Sequence, residues 1–169
     1  MNVVMGITTM RHEHTDAVIE LGRRMHRESA YAVLPFDAEK VRRLIEFCIA
    51  HPAARCAFVV ESAKKPIGML LGYIDEYFFC REKIAADLIL YVHPEHRSSG
   101  AGSELVRAFQ RWAFDHGAHE VCLAVSTAVE AERTGRLYRN LGFGSVGGIY
   151  KQALHRHTDD AAQPEEIRV

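Results

Sequence analysis

The segment that most constrains the fold lies in the second half of the chain, where an apolar strand ends and a glycine-containing loop leads into a helix. Ile84 to Val92 reads as the strand, and Gly100 and Gly102 precede a helix with Leu105 on its apolar face. The first N–H groups of such a helix have no intrahelical acceptor, and the helix dipole makes them partly positive. Glycine has no Cβ, so an anion can come close to the backbone. The segment therefore predicts a phosphate or pyrophosphate site.

Residues beside the two glycines argue against the commonest phosphate-binding motifs. Gly102 is followed by Ser103 and Glu104, so the lysine of a nucleoside triphosphatase loop is missing. Leu105 stands where a dinucleotide fingerprint has a third glycine or alanine. A simple turn at the start of a helix remains the alternative, because a lone Gly-x-Gly is weak evidence.

The first half of the chain predicts two helices and then antiparallel strands. Val3 to Thr8 reads as a strand, Thr15 or Asp16 can cap a helix that ends near Ser29, and Asp37 can cap a second helix. The apolar runs that follow predict three further strands, and we place them at 56–61, 67–79 and 84–92. Lys64, Lys65 and Pro66 suit the turn between the first two of these.

The second half predicts alternating helices and strands, which indicates an α/β fold with a mixed sheet. We expect a helix at 100–116, a strand at 120–125, a helix at 130–141 and a closing hairpin from Phe143 to Leu154. Gly117 and Gly142 stand where helix ends require a positive φ. Thr127 and Glu130 have the spacing of a capping box. Residues 1–154 are expected to form one domain, and 155–169 a polar C-terminal tail.

Composition narrows the partners and the compartment. The chain has 169 residues, and its 21 Lys and Arg nearly balance 22 Asp and Glu, which argues against nucleic-acid and membrane partners. The N-terminus lacks the pattern of a targeting segment, so we expect a cytoplasmic protein. The four cysteines fall in apolar runs and are expected to be reduced core residues: Cys48, Cys56, Cys80 and Cys122. His93 and His96 lack the spacing of a convincing metal site, and no metal is expected.

Two ordered motifs resemble those of the GNAT superfamily of N-acetyltransferases. Positions 92–105 read VHPEHRSSGAGSEL, which is similar to the family's V-x-P-x-x-R/Q-x-x-G-x-G/A motif followed by x-x-L. Positions 137–143 read LYRNLGF, which is similar to its L-Y-x-x-x-G-F signature. The resemblance covers about Ile67 to Leu154, and Ile89 to Gly148 looks most like phage and bacterial members of unsettled substrate. It implies a mostly antiparallel sheet of six or seven strands with about four helices and a splayed cleft between strands 4 and 5.

The resemblance also implies a cosubstrate, acetyl-CoA, and direct transfer of its acetyl group to a primary amine. The backbones of Leu90, Tyr91 and Val92 would hold the pantetheine arm. The coenzyme pyrophosphate would lie on the loop and helix start, formed by Arg97, Ser98, Ser99, Gly100, Ala101, Gly102 and Ser103. Tyr138 would be the catalytic acid that protonates the leaving thiolate. The amine is unidentified, and a homodimer is compatible with the family.

Two departures from the family pattern leave the mechanism open. Ala86 stands where many relatives carry a glutamate, and Ala131 where many carry an asparagine. The general base could then be Asp75, Glu76, Asp87 or water, although strand alternation should turn Asp87 to the face opposite Ala86. The alternative function is a coenzyme-binding domain that has lost catalysis and acts as a sensor or interaction module.

Overall fold

The computed structural model describes residues 5–154 and contains a five-stranded sheet with four α-helices. The strands are β1 (Met5–Thr9), β2 (Arg55–Ser62), β3 (Lys65–Glu76), β4 (Lys83–Val92) and β5 (Ala118–Cys122). The helices are α1 (Thr15–Glu28), α2 (Ala38–Ala50), α3 (Ala101–Asp115) and α4 (Ala131–Asn140). The α/β class expected from the sequence is confirmed.

The sheet separates two hydrophobic cores. Its strands follow the order β1-β2-β3-β4-β5, antiparallel from β1 to β4, with β5 parallel to β4. One core packs α1 and α2 against the sheet around Val59 and Met69. The other packs α3 against the opposite face, with Leu105 and Phe109 fully buried beside Leu70. Both sheet faces are thus covered, which explains the nearly continuous apolar runs of β3 and β4.

The pairing between β4 and β5 stops early. It joins Lys83–Ala86 to Ala118–Cys122, and within residues 5–154 no further ladder pair connects the two strands. Beyond Ala86 the upper half of β4 is paired to β3 alone. The predicted splayed cleft between strands 4 and 5 is therefore present.

A β-bulge sets which side chains of β4 face each core. Gly72 of β3 pairs with Asp87, whereas the preceding Leu71 pairs with Ile89, so Leu88 is an extra residue. Because of this insertion, Asp87 lies on the α3 side of the sheet whereas Ile89 packs against the α1 core. Local alternation predicts the face of Asp87 relative to Ala86, but the bulge reverses the pattern for the residues that follow.

Helix ends confirm some of the local predictions and correct two. Neither Thr15 nor Asp16 caps α1, because the helix begins at Thr15 and its N-cap is His14. Asp37 caps α2 by accepting a hydrogen bond from the N–H of Lys40 at 2.9 Å. Gly117 and Gly142 adopt φ of 76° and 90°, as the ends of α3 and α4 require. The capping box at Thr127 and Glu130 is wrong, because the Glu130 side chain makes no cap hydrogen bond and the Thr127 hydroxyl accepts from the N–H of Val129 at 3.3 Å.

The predicted closing hairpin from Phe143 to Leu154 is also wrong. Residues 143–154 contain no strand, so the described sheet has five strands rather than six or seven. Three glycines, Gly144, Gly147 and Gly148, weaken strand formation there because glycine has more backbone freedom to lose and no side chain to pack. The tail at 155–169 and the start of the predicted first strand lie outside the described residues.

The cysteines divide into two classes. Cys48 and Cys56 are buried, as expected of core residues. Cys80 and Cys122 are exposed, which corrects the prediction for those two. Among the described residues, none of the helices has both the length and the apolar character needed to cross a bilayer.

Gly72 provides a test of how tightly α3 packs on the sheet. An added Cβ would lie 2.7 Å from Cε2 of Phe109 and 2.9 Å from the carbonyl oxygen of Ala86. We expect Gly72→Ala to lower the free energy of unfolding by about 1–3 kcal/mol through overpacking, measured by urea denaturation. Gly6→Ala is the control, because a Cβ there meets nothing within 4 Å. An equal effect of the two substitutions would show that the close approach of Phe109 to Gly72 does not restrict the side chain at position 72.

Candidate functional site

The separation of β4 from β5 opens a cavity of about 170 Å³. Its walls come from β4, the start of α3, the segment 124–130 and α4. Most of the predicted site residues line it: Leu90, Tyr91, Val92, Arg97, Gly100, Gly102, Ser103 and Tyr138. The other three predicted residues, Ser98, Ser99 and Ala101, are not part of the lining.

The mouth of the cavity is formed by the glycine loop and the first turn of α3. Gly100 adopts φ of 87°, a left-handed conformation that suits glycine, and its carbonyl accepts the N–H of Glu104 at 3.1 Å. The preceding N–H groups of this first turn have no intrahelical acceptors. Ser99 is turned into the loop, where its hydroxyl donates to the carbonyl of His96 at 2.6 Å. The loop is therefore held by its own polar groups and presents main-chain donors at the mouth.

Arg97 is bound on three sides by the protein. Its Nε donates to the carbonyl of Val92 at 3.1 Å, Nη1 donates to Glu130 at 3.1 Å, and Nη2 donates to Glu28. The guanidinium carbon also lies 5.4 Å from the centroid of the Tyr91 ring. Only 15% of the side chain is exposed. Arg97 is therefore held by the protein and is not a solvated loop charge.

Glu28 joins α1 to this arrangement. One carboxylate oxygen accepts the Tyr91 hydroxyl at 2.6 Å, while the other accepts from Arg97. Burial alone would raise the pKa of Glu28, but the hydrogen bonds from Tyr91 and Arg97 outweigh it and lower the pKa below its usual range. For Tyr91, burial and the neighbouring carboxylate both raise the pKa. Glu28 is thus an ionised carboxylate that fastens the end of α1 to β4 and to the loop.

Arg133 is a second arginine at the same mouth. It stands in the first turns of α4, with Nη2 donating to the hydroxyl of Ser98 at 3.2 Å and Nη1 lying 3.4 Å from Glu130. Its side chain is 43% exposed and lines the cavity. The sequence offers only the three-residue spacing between Glu130 and Arg133, which is typical of an ordinary surface ion pair on a helix. Nothing local predicts that the pair meets the loop.

Tyr138 lies farther inside the cavity. It is 7% exposed, and its ring centroid is 5.9 Å from that of Phe143. Burial raises the pKa of its phenol, and the negative charge of Asp87 raises it further. Tyr138 is therefore a protonated hydrogen-bond donor at any pH near neutrality.

Asp87 is the one of the three proposed carboxylates that lines the cavity. It is partly buried and accepts the N–H of Ala124 at 2.9 Å across the splay. Burial raises the pKa of Asp87, and hydrogen bonds from the Ala124 backbone and its own backbone offset only part of that rise. Asp75 and Glu76 are exposed at the far end of β3, where they pair with Ile84 and Lys83. The structure therefore does not bring Asp75 or Glu76 to the cavity.

His93, Glu95 and His96 form a cluster that their sequence spacing alone does not predict. Their potential ligand atoms lie within 4.8 Å of one another. The Nδ1 atom of His93 is buried without a hydrogen-bond partner in the part of the chain that the structure describes. Burial lowers the pKa of His93, and the positive charge of Arg24 lowers it further. The same positive charge would oppose a bound cation.

Comparisons with known proteins agree on one kind of fold. Residues 17–143 match the family described as "Acetyltransferase (GNAT) family". Human N-acetyltransferase 8 is 34% identical over 92 residues, which are 54% of this chain and 40% of that protein. The chain thus spans less than half the length of the curated relatives it matches, human N-acetyltransferases 8 and 8B.

Two solved structures illustrate the structural likeness. The structure of AAC(6')-Iy in complex with the bisubstrate analog CoA-S-monomethyl-acetylneamine has a TM-score of 0.72 at 18% identity, covering 90% of this chain and 99% of that one. Glucosamine-6-phosphate N-acetyltransferase from Arabidopsis thaliana has a TM-score of 0.72 at 15% identity, with coverages of 90% and 99%. At these identities, the likeness shows the fold alone.

Proposed function

Because the chain belongs to the GNAT acetyltransferase family, we propose that it transfers an acetyl group from acetyl-CoA to a primary amine by direct nucleophilic attack. The observation that carries this proposal is the cavity between the separated ends of β4 and β5, with the glycine loop at its mouth and Tyr138 inside. It combines main-chain N–H groups at the start of a helix, an unpaired strand edge and a phenolic hydroxyl. Each of these suits one part of a coenzyme thioester.

The coenzyme would occupy the cavity from the mouth inward. Its pyrophosphate would accept hydrogen bonds from main-chain N–H groups between Arg97 and Ser103, with the positive end of α3 adding to the attraction. Its pantetheine arm carries amides that would replace the missing strand beside Leu90, Tyr91 and Val92. Backbone groups at an open strand edge need such partners when water is excluded.

The proposed reaction forms a C–N bond and breaks a C–S bond. The amine attacks the thioester carbonyl, the tetrahedral intermediate collapses, and the coenzyme thiolate leaves. Tyr138 would donate its phenolic proton to that thiolate, and its raised pKa keeps the phenol protonated at neutral pH. No covalent enzyme intermediate is required, so the cysteines have no part in the proposal.

Asp87 is the carboxylate we propose as general base. It would take the proton that the attacking amine loses, directly or through one water molecule. The support is its place in the cavity wall and its raised pKa, which makes it a stronger base than an exposed aspartate. Asp75 and Glu76 lack this placement.

An amine acceptor is supported by chemistry and by one neighbour. AAC(6')-Iy was solved in complex with an analogue that joins coenzyme A to an acetylneamine, so that protein binds such a compound. In this chain, the Asp87 carboxyl group in the cavity wall would favour a cationic amine near the thioester. Cytoplasmic location and a homodimer remain predictions.

The proposal predicts binding of acetyl-CoA and release of coenzyme A with at least one amine. Gly100→Val should abolish binding, because its side chain would occupy the space that the phosphates need. Gly117→Val is the matched control, because Gly117 also has a positive φ, 76°, with nothing within 4 Å of an added Cβ, but lies away from the cavity. Calorimetric titration with acetyl-CoA and a thiol assay over a panel of amines measure the two effects. Tight binding without turnover on every amine would instead favour the sensor or interaction module.

Tyr138→Phe tests the catalytic acid. Removing the hydroxyl should lower kcat by about 10²-fold while leaving the Kd for acetyl-CoA unchanged, because a proton donor acts mainly in the transition state. Tyr150→Phe is the control, since Tyr150 is 95% exposed. Steady-state kinetics with the best amine gives both values. Normal turnover by Tyr138→Phe would remove this residue from the mechanism.

Asp87→Asn tests the base and has a second consequence for stability. We expect kcat to fall by about 10²-fold. The increase of kcat with pH that reflects ionisation of Asp87 should also disappear from the pH–rate profile. The folded pKa of Asp87 is raised, so its ionisation destabilises the fold as the pH rises through that pKa. Asn cannot ionise, so the variant should be more stable than the wild type near pH 7 and lose this advantage towards the ordinary aspartate pKa of about 3.9.

Thermal unfolding between pH 4 and pH 8 and a pH–rate profile measure the two effects of Asp87→Asn. Asp75→Asn is the control, because Asp75 is exposed and distant from the cavity lining. An unchanged pH–rate profile would mean that the amine loses its proton by another route.

A further inference from the structure

Two arginines reach the mouth of the cavity, and the protein uses them differently. Arg97 is 15% exposed, whereas Arg133 is 43% exposed, although both line the same cavity. The family motif in the sequence implies a coenzyme contact for Arg97, and neither motif includes Arg133. Their contacts point to a different division of roles.

Arg97 has few free N–H groups with which it could bind an anion. Three of its five N–H groups donate to protein acceptors, and two of those acceptors are the carboxylates of Glu28 and Glu130. These two negative charges exceed its single positive charge. A pyrophosphate that approached the Arg97 guanidinium would therefore also approach Glu28 and Glu130.

Arg133 is in the opposite situation. It shares one carboxylate, Glu130, at 3.4 Å, and that carboxylate is already bound to Arg97 at 3.1 Å. Its other contact is the hydroxyl of Ser98, within the loop whose main-chain N–H groups are proposed to hold the pyrophosphate. A phosphate at the mouth could take the place of Glu130 on Arg133, and Glu130 would keep its partner.

We propose that Arg133 is the side chain that binds the coenzyme pyrophosphate, and that Arg97 is a positioning residue held by Glu28 and Glu130. The planar guanidinium of Arg133 can bind two phosphate oxygens with parallel hydrogen bonds. Arg97 joins α1, the end of β4 and α4, and so holds the loop in place. This inference rests on the proposed function, since it names a residue of the same coenzyme site.

The test compares three donors that differ in their phosphates. Acetyl-CoA carries the pyrophosphate and the 3′-phosphate, acetyl-dephospho-CoA keeps only the pyrophosphate, and S-acetylpantetheine has neither. We expect Arg133→Gln to raise Kd for the first two by the same factor of about tenfold, as the loss of a charged hydrogen bond implies. Its kcat/KM with S-acetylpantetheine should be unchanged. The loss should shrink at high salt, because Arg133 is partly exposed.

Arg136→Gln is the matched control for Arg133→Gln. Arg136 lies one turn farther along α4, is 63% exposed and is not part of the cavity lining. Unchanged binding of acetyl-CoA by Arg133→Gln would overturn the assignment. A loss confined to acetyl-CoA would also overturn it, because the residue would then bind the 3′-phosphate. Absence of acetyl-CoA binding by the wild-type protein is a separate result that would refute the proposed function itself.

Arg97→Gln tests the positioning role. It should lower the melting temperature and weaken kcat/KM for all three donors by a similar factor, because it disturbs the wall of the cavity. Tyr91→Phe is a milder second variant, which removes only the hydroxyl that donates a hydrogen bond to Glu28. It should act in the same direction with a smaller effect. If Arg97→Gln weakened only the two phosphate-bearing donors with an unchanged melting temperature, Arg97 would be the phosphate ligand.

Discussion

The early end of the β4–β5 ladder at Ala86 is the constraint on which the rest of the site depends. If the parallel pairing continued to Val92, the backbone N–H and C=O groups of β4 would be hydrogen-bonded to β5 and no gap would separate the two strands. Instead, the upper half of β4 presents N–H and C=O groups to a cavity. Such groups are costly to leave without partners when they are removed from water. The fold thus creates a place for an extended, amide-bearing molecule before any side chain is considered.

The separated strands must still be held at a fixed distance, and charged side chains do this at both ends of the opening. At its base, Asp87 on β4 accepts the N–H of Ala124, just after β5. At its mouth, Arg97 joins α1 to α4 through Glu28 and Glu130. Because the Arg97 side chain is only 15% exposed, its attraction to Glu28 is screened less by salt than that between two fully exposed side chains.

Short-range chemistry determined which features could be predicted from the sequence. The cap at Asp37, the positive φ of Gly117 and Gly142, and the loop before α3 depend on residues within one turn of each other. The splay itself was predicted through the resemblance to a family, because no single segment of sequence encodes it. The prediction of a closing hairpin is wrong because it rested on the apolar residues between Phe143 and Leu154. Three glycines among them oppose strand formation.

The network at the mouth could not be predicted for a different reason. Glu28 and Arg97 are 69 residues apart in sequence, and Arg133 and Ser98 are 35 apart. These contacts exist only after the sheet has brought α1, the loop and α4 together. Sequence spacing can suggest an ion pair on one helix, but not which carboxylates a loop arginine meets.

The same geometry explains why the inner end of the cavity holds two groups with raised pKa values. Asp87 and Tyr138 stand where the sheet has opened but water has limited access, so burial disfavours the ionised form of both. The negative charge of Asp87 adds to the effect on Tyr138, so the carboxylate is the first of the two to lose its proton. The pair therefore combines a carboxyl group, which accepts a proton when ionised, with a phenol that can donate one. The proposed acyl transfer to an amine would use both, and the separation of two strands leaves them in the lining of one cavity.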